Sequence, residues 1–137
     1  MLTSTVGLGS DKLEEETFAR ASVQRNQPPR ILLVEDEQII RDALVPILFR
    51  AGFDCRECAD GRSAIDLLAD GMRIDLVLSN LLLPEVDGWT LFLHVRQRYP
   101  RIPFVFMTAV RATNCSRDEL LATVRAAFHH NPNPLLD

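Results

Sequence analysis

The sequence predicts an α/β fold, a doubly wound parallel sheet of about four strands with helices on both faces. Four short apolar segments alternate with segments whose apolar residues recur at helical spacing. The connections between them are short, and this alternation is typical of parallel sheets covered on both sides. Ligand chemistry in such sheets occurs at the carboxyl ends of the strands, so we expect any site there.

The first predicted strand is "ILLV", residues 31–34, an unbroken apolar run typical of a strand buried on both faces. A helix follows in "EQIIRDALVPILFRAG", and Gly52 suits its end. Pro46 lies within it and predicts a kink that costs about 3 kcal/mol. The apolar face of this helix should comprise Ile39, Ile40, Ala43, Leu44, Ile47 and Leu48.

The remaining elements follow in the same alternation. "FDCREC" predicts a second strand and "RSAIDLLADG" a short helix. "DLVLSN", residues 75–80, predicts the third strand, and a loop through Pro84 leads to the helix "GWTLFLHVRQRYP". "PFVFMTA", residues 103–109, predicts the fourth strand. A last helix is predicted over 116–128, where Ser116 and Glu119 form a capping box.

The chain divides into a predicted N-terminal extension (1–29), one domain (30–128) and a C-terminal tail (129–137). Ser10 could cap a helix in the extension, so both a docked helix and a frayed linker remain open. The domain is long enough to bury a core of its own.

Composition excludes several classes of function. A net charge of -4 and a pI near 5.3 argue against a nucleic-acid surface, which needs a basic patch. No segment approaches the ~20 apolar residues of a membrane helix. The N-terminus lacks a basic start followed by an apolar core, so we expect a cytoplasmic protein.

The cysteines give little support to redox or metal chemistry. Cys55 and Cys58 form a C-x-x-C spacing, but the segment reads as a strand, which points residues three apart to opposite faces. Cys115 makes the count odd, and no second pair completes a zinc site. We therefore interpret them as core or strand-surface cysteines.

These segments resemble the receiver domain of two-component response regulators from about Arg30 to Ala109. The matching motifs are "ILLVEDE", "ADGRSAIDLL", "DLVLSNLLLPEVDGW" and "FVFMTA", in the family's order and spacing. The resemblance implies a flavodoxin-like sheet. The family's strand order is 2-1-3-4-5, and we expect this chain to be truncated to the order 2-1-3-4.

The resemblance also implies a site. In the family, an aspartate accepts a phosphoryl group while Mg²⁺ bridges that aspartate, an acidic pair and the phosphoryl oxygens, and a threonine and a lysine hold the phosphorylated state. Residue by residue, Glu35 and Asp36 match the acidic pair and Thr108 the switch hydroxyl. The backbone carbonyl of Leu82 matches the remaining metal ligand. The phosphoacceptor position is Asn80.

Asn80 removes the nucleophile, because an amide is neutral and its electrons are delocalised. Ser79 should point to the opposite face of the strand and is a poor substitute. Lys12, the only lysine, lies before the first strand, so the family's lysine is missing as well. We therefore predict no enzyme activity, no cofactor, and at most a weak or vestigial Mg²⁺ site at Glu35, Asp36, Asn80 and Leu82. A pocket retuned to rest empty and simple drift explain these changes equally well.

The family's fourth helix and fifth strand are also unaccounted for, since they take roughly 20 residues that the sequence after "MTAV" does not provide. Residues 116–128 match either the family's last helix or, alternatively, its fourth. Loss of the fifth strand leaves the fourth strand at the border, an aggregation hazard unless it is covered. We predict a homodimer that covers this edge, because a symmetric interface is the commonest solution.

The sequence thus favours a binding module that signals through contacts with a protein partner, without phosphorylation. Two alternatives stay open. One is a receiver that retains Mg²⁺-dependent or non-standard phosphorylation switching. The other is a rearranged fragment of a larger response regulator. The sequence motifs do not identify the protein partner or the signalling pathway.

Overall fold

The computed structural model describes residues 27–107 and 117–129, and these ranges contain four strands and four helices in alternation. The predictions for residues 1–26 of the extension, for Lys12, Thr108, Cys115 and Ser116, and for most of the tail lie outside these ranges. The strands are β1 (Arg30–Val34), β2 (Asp54–Cys58), β3 (Leu76–Ser79) and β4 (Phe104–Phe106). The helices are α1 (Gln38–Arg50), α2 (Gly61–Ala69), α3 (Gly88–Arg98) and α4 (Arg117–Ala127).

The four strands form one sheet in the order β2-β1-β3-β4, and every neighbouring pair is parallel. The predicted fold class and strand order are therefore confirmed. The register places Val34 beside Cys58 on one side and beside Ser79 on the other. Ser79 in turn lies beside Phe106 of β4. The carboxyl ends of all four strands thus meet at one edge of the sheet.

Alternate residues of the central strands bury against opposite helix layers, as a three-layer fold requires. Leu32 and Val34 pack with α2 and α3, whereas Ile31 and Leu33 pack with α1 and α4. The first cluster takes Ala64, Leu68, Leu91, Phe92 and Val95 from its helices. The second takes Leu48, Leu120 and Val124 from its helices. The sheet therefore separates two apolar cores.

The position of α4 decides between the two interpretations of the last helix. In right-handed connections, α1 crosses the sheet in one direction, while α2 and α3 cross in the other and lie on the opposite face. A helix leading from β4 to a strand beyond it would join α2 and α3. Instead, Leu120 and Val124 of α4 pack in the core that α1 covers. The helix fits the family's last helix, and the alternative, a fourth helix, is wrong.

The predicted apolar face of α1 is only partly correct. Leu48 is fully buried, and Leu44 and Ile47 pack at the margin of the core, but Ile39 is 83% exposed and Ala43 is also exposed. Only three residues separate the end of β1 from the first turn of α1, so this turn lies at the carboxyl edge with little sheet beneath it. The helix continues through Pro46 to Arg50.

A charged network closes the amino edge of the sheet. Asp75, just before β3, accepts a hydrogen bond from the backbone N–H of Arg30 at 2.8 Å and pairs with Arg73. The Arg30 guanidinium pairs with Asp54 at the start of β2 at 2.7 Å. Arg73 also donates to the side chain of Gln27 at 2.8 Å. The starts of three strands are thus joined by side chains as well as by the backbone ladder.

Glu85, in the loop between β3 and α3, has a φ of 63°, in the left-handed region. This conformation costs a residue with a Cβ about 1–2 kcal/mol, and Asn tolerates it better than Glu. Glu85→Asn is therefore expected to raise the free energy of unfolding by up to about 1 kcal/mol, measured by urea denaturation. Glu85→Gln should leave it unchanged, since it keeps the same backbone cost; an equal gain in both variants would contradict this explanation.

Candidate functional site

Glu35 and Asn80 lie side by side at the carboxyl edge of the sheet. Glu35 directly follows Val34 and Asn80 directly follows Ser79, and Val34 and Ser79 are neighbours in the parallel register. The backbone N–H of Asn80 donates to the carbonyl of Val34 at 2.9 Å, which extends the β1–β3 ladder by one step. Neighbouring strands lie about 4.8 Å apart, so the structure brings these two predicted residues together.

The backbone of Asn80 is held from three directions. Besides the bond from its N–H, its carbonyl accepts a hydrogen bond from the Ser79 hydroxyl at 2.8 Å. Gly88 packs so closely that a Cβ on it would lie 2.1 Å from the same carbonyl oxygen. The residue is only 8% exposed. Position 80 is therefore a fixed, nearly enclosed point rather than part of a loose loop.

The acidic pair divides into a buried and an exposed member. Glu35 is fully buried, and its Oε2 accepts a hydrogen bond from the backbone N–H of Glu37 at 3.0 Å. Asp36 is exposed at the start of the turn into α1. The two carboxylates therefore differ in solvation although they are neighbours in sequence.

Arg41 is the residue of this edge that the sequence did not identify. Its Nη1 donates to the backbone carbonyl of Glu35 at 2.6 Å, and its Nε lies 3.3 Å from a carboxylate oxygen of Glu57 on β2. It thereby fixes the end of β1 to α1 and β2. The sequence feature that could have identified Arg41 is its position one turn into the helix that follows the acidic pair. This position puts a long basic side chain within reach of the end of β1.

The loop between β3 and α3 completes the edge. The N–H of Gly88 donates to the carbonyl of Leu81 at 2.7 Å, and the side chain of Asp87 caps α3 by accepting from the N–H of Thr90. That hydrogen bond lowers the pKa of Asp87. Leu82, the predicted carbonyl ligand, lies in this loop with its side chain exposed.

The cysteines of the C-x-x-C spacing lie on opposite faces of β2, as predicted. Cys58 is buried in the core under α2 and α3, and Cys55 packs against the other core. Burial raises the pKa of the Cys55 thiol to about 12 and that of Cys58 to about 11. Both thiols are free and remain protonated at neutral pH, which argues against redox chemistry at this pair.

The chain was compared with protein-family models, and the response regulator receiver domain matches residues 31–125. This range covers more than half of the sequence. The chain belongs to the receiver domain family.

Three receiver relatives illustrate the match. The transcriptional regulatory protein YrkP of Bacillus subtilis (strain 168) is 36% identical over 93 residues, 68% of this chain and 39% of YrkP. The DNA-binding transcriptional regulator NtrC of Escherichia coli (strain K12) is 30% identical over 104 residues, 76% of this chain and 21% of NtrC. The sensor kinase CckA of Brucella abortus (strain 2308) is 37% identical over 79 residues, 57% of this chain and 8% of CckA. The chain thus spans well under half the length of these relatives.

Solved structures agree with this assignment. The signal receiver domain of an HD domain-containing protein from Pseudomonas fluorescens Pf-5 superposes with a TM-score of 0.64 at 27% identity, over 75% of this chain and 96% of that one. The receiver domain of a signal transduction histidine kinase from Syntrophus aciditrophicus gives a TM-score of 0.64 at 25% identity, over 74% of this chain and 90% of that one.

The family resemblance assigns the phosphoacceptor position to Asn80, and the structure places Glu35 of the acidic pair at the neighbouring strand end. The Mg²⁺ that the family implies would be held by Glu35, Asp36, the Asn80 amide oxygen and the Leu82 carbonyl. These are hard oxygen donors, which suit Mg²⁺, but they carry one negative charge fewer than three carboxylates. Within 27–107 and 117–129, no group of three or more His, Cys, Asp or Glu side chains is arranged to hold a metal ion. The same ranges contain no helix with the length and apolar character needed to cross a membrane.

Proposed function

We propose that this receiver domain acts as a phosphorylation-independent signalling module, which binds a protein partner and performs no phosphoryl transfer of its own. The observation that carries the proposal is the residue at the acceptor position, Asn80, 8% exposed and fixed by its backbone contacts. An amide has no charged lone pair to offer to phosphorus. Its burial and its backbone hydrogen bonds support a retained shape without the reactive group.

The neighbouring hydroxyl supports the same conclusion. Ser79 is fully buried, and its Oγ donates to the backbone carbonyl of Asn80. A phosphoryl group attached there would lose this hydrogen bond and place about two negative charges in an enclosed apolar setting. Ser79 is therefore a poor acceptor.

The remaining charges favour a resting site without phosphate. The family's lysine has no counterpart after β4, since Lys12 is the only lysine in the sequence. Arg41, the cation of the described edge, is engaged by the Glu35 carbonyl and by Glu57. Any Mg²⁺ bound by the two carboxylates would be held weakly and would serve to neutralise negative charge at the edge. The cytoplasmic location expected from the sequence belongs to the same proposal.

The test is the intact mass of the chain after incubation with acetyl phosphate and Mg²⁺, beside the variant Asn80→Asp. We expect the unmodified chain to keep its mass. The variant is expected to gain one phosphoryl group, because it restores a carboxylate beside Glu35 and Asp36. The same treatment without Mg²⁺ shows whether any gain depends on the acidic pair and its metal.

Phosphorylation of the unmodified chain would overturn the proposal and favour the alternative, a receiver with non-standard switching. The variant Ser79→Ala then shows whether the serine is the acceptor. If Asn80→Asp also stays unmodified, the site has lost more than its nucleophile, and the signalling role rests on protein contacts alone.

A further inference from the structure

One flank of α3 carries two exposed apolar side chains and a partly buried arginine. Trp89, Leu93 and Arg96 follow one another at helical spacing, and we call them the α3 strip. Trp89 is 45% and Leu93 42% exposed, although the same helix buries Leu91, Phe92 and Val95 in the core. The apolar surface of α3 therefore continues from the core onto Trp89 and Leu93, and Arg96 borders it.

The α3 strip faces the free edge of β4. The ring of Trp89 stacks on Phe106 of β4 with a centroid distance of 6.3 Å and lies 5.2 Å from Phe92. In the described ranges, β4 pairs with β3 alone, so this side of the sheet ends there. The strip and the edge of β4 form one continuous surface.

A complete receiver would cover this surface with the helix that follows its fourth strand. A right-handed connection from β4 to a further strand would lie on the face of α2 and α3, next to the strip. Only nine residues, 108–116, separate Met107 from Arg117. A parallel crossover takes a dozen or more residues before the next strand is counted, so this segment is too short to provide it.

The charge on the strip is uncompensated. Arg96 forms no ion pair with any residue of the described ranges, and its Nε has no hydrogen-bond acceptor there. Arg30, Arg41 and Arg73, by contrast, each pair with a carboxylate. A covering partner therefore needs an apolar surface together with a group that attracts a guanidinium.

We propose that a second copy of this chain covers the strip, with the two α3 helices packed antiparallel about a two-fold axis near Leu93. Trp89 and Arg96 are seven residues apart, about 10.5 Å along the helix, and Leu93 lies near their midpoint. The symmetry operation therefore places Trp89 of each copy over Arg96 of the other. An indole face attracts a guanidinium, so the strip is complementary to itself, as an isologous interface requires.

The same arrangement covers the edge of β4. Because α3 connects β3 to β4, it lies over these two strands. The axis of α3 therefore lies about half a strand spacing inside β4. If the β4 strands of two copies pair at one strand spacing, the two α3 axes are separated by two strand spacings, about 9.5 Å. Packed helices lie 8–10 Å apart. One interface can thus cover both the edge of β4 and the α3 strip. Its contacts do not involve Asn80, so they do not depend on whether position 80 can be phosphorylated.

Sedimentation equilibrium of the full chain tests this interface. We expect a concentration-dependent dimer, and we expect Leu93→Glu to weaken dimerisation by about tenfold or more because it places two carboxylates together on the axis. Ile39→Glu makes the same kind of change at an apolar side chain on α1 that is more exposed than Leu93, 83% against 42%, and this control should dimerise normally. A chain that is monomeric at high micromolar concentration, with the strip covered by its own N-terminal segment or left bare, would overturn the proposal.

Disulfide crosslinking tests the same interface without relying on a variant that weakens dimerisation. In a Cys115→Ser background, Leu93→Cys should form an intermolecular disulfide readily on mild oxidation, because residues on a two-fold axis meet their own copies. Ile39→Cys should not. A dimer that is insensitive to Leu93→Glu and not crosslinked through position 93 would place the interface elsewhere. Neither the dimerisation test nor the crosslinking test depends on whether the chain is phosphorylated. A failure of the proposed dimer can therefore be distinguished from a failure of the proposed function.

Discussion

Gly88→Ala is expected to lower the free energy of unfolding by about 3 kcal/mol, a large part of the stability of a domain this size. The added methyl would lie 2.1 Å from the carbonyl oxygen of Asn80, 2.8 Å from the Cα of Leu81 and 2.9 Å from its carbonyl oxygen. All three are backbone atoms, so no side-chain rotation relieves the contact. Either α3 or the end of β3 must move, and both carry buried residues of the same core.

The measurement is urea denaturation of Gly88→Ala beside Gly71→Ala. Gly71 has a φ of 88° and no atom near the position of an added Cβ, so its substitution costs only backbone strain, about 1 kcal/mol. The comparison separates overpacking from conformational cost. Equal losses in the two variants would mean that the loop after Asn80 yields easily, and position 80 would then not be rigidly held.

The fold was predictable from the sequence because its signals are local. The apolar run of β1 and the helical spacing of Leu91, Phe92 and Val95 each reflect burial that the structure confirms. The strand order followed from the family resemblance, and the register follows once alternate residues must enter two separate cores. The place of the last helix needed the structure, since its sequence fits either face of the sheet.

The candidate site was predictable only in part. The motif spacing placed Glu35 and Asn80 at neighbouring strand ends, where the register has them. The roles of Arg41 and Gly88 depend on how a helix packs against the end of the preceding strand, which helical periodicity does not specify even though their partners Glu35 and Asn80 are near in sequence. The exposure of Ile39 was missed for a similar reason, because helical periodicity does not reveal where the sheet beneath a helix ends.

If position 80 is the phosphoacceptor position, as we propose, its contacts explain how an amide can stand where the family has a carboxylate. The described hydrogen bonds at this residue involve its backbone, to Val34 and Ser79, so its placement does not require a charged side chain. Loss of the negative charge also lowers the repulsion from the buried Glu35. The surrounding structure can therefore persist without a carboxylate at position 80, as the proposed phosphorylation-independent role requires.

Asp75→Ala is expected to lower the free energy of unfolding by about 2–4 kcal/mol, because it breaks a nearly buried network at the amino edge. The side chain of Asp75 is 6% exposed, and its Oδ2 accepts from the backbone N–H of Arg30 while it pairs with Arg73. Removal leaves the partly buried N–H of Arg30 without this acceptor. The side chain of Arg73 is 28% exposed, so water can solvate its charge once Asp75 is removed. The expected decrease in the free energy of unfolding therefore lies toward the lower end of this range.

Asp54→Ala is the matched control for this prediction. Asp54 also stands at the start of a strand and pairs with an arginine, Arg30, but its side chain is 42% exposed. Solvent screens such a pair, so its loss should cost about 0.5 kcal/mol or less. Urea denaturation of both variants, with Asp75→Asn as an intermediate that keeps an acceptor oxygen, separates burial from charge. If Asp54→Ala costs as much as Asp75→Ala, the amino edge is held by ion pairing in general, and the buried acceptor has no special part in joining β1 to β3.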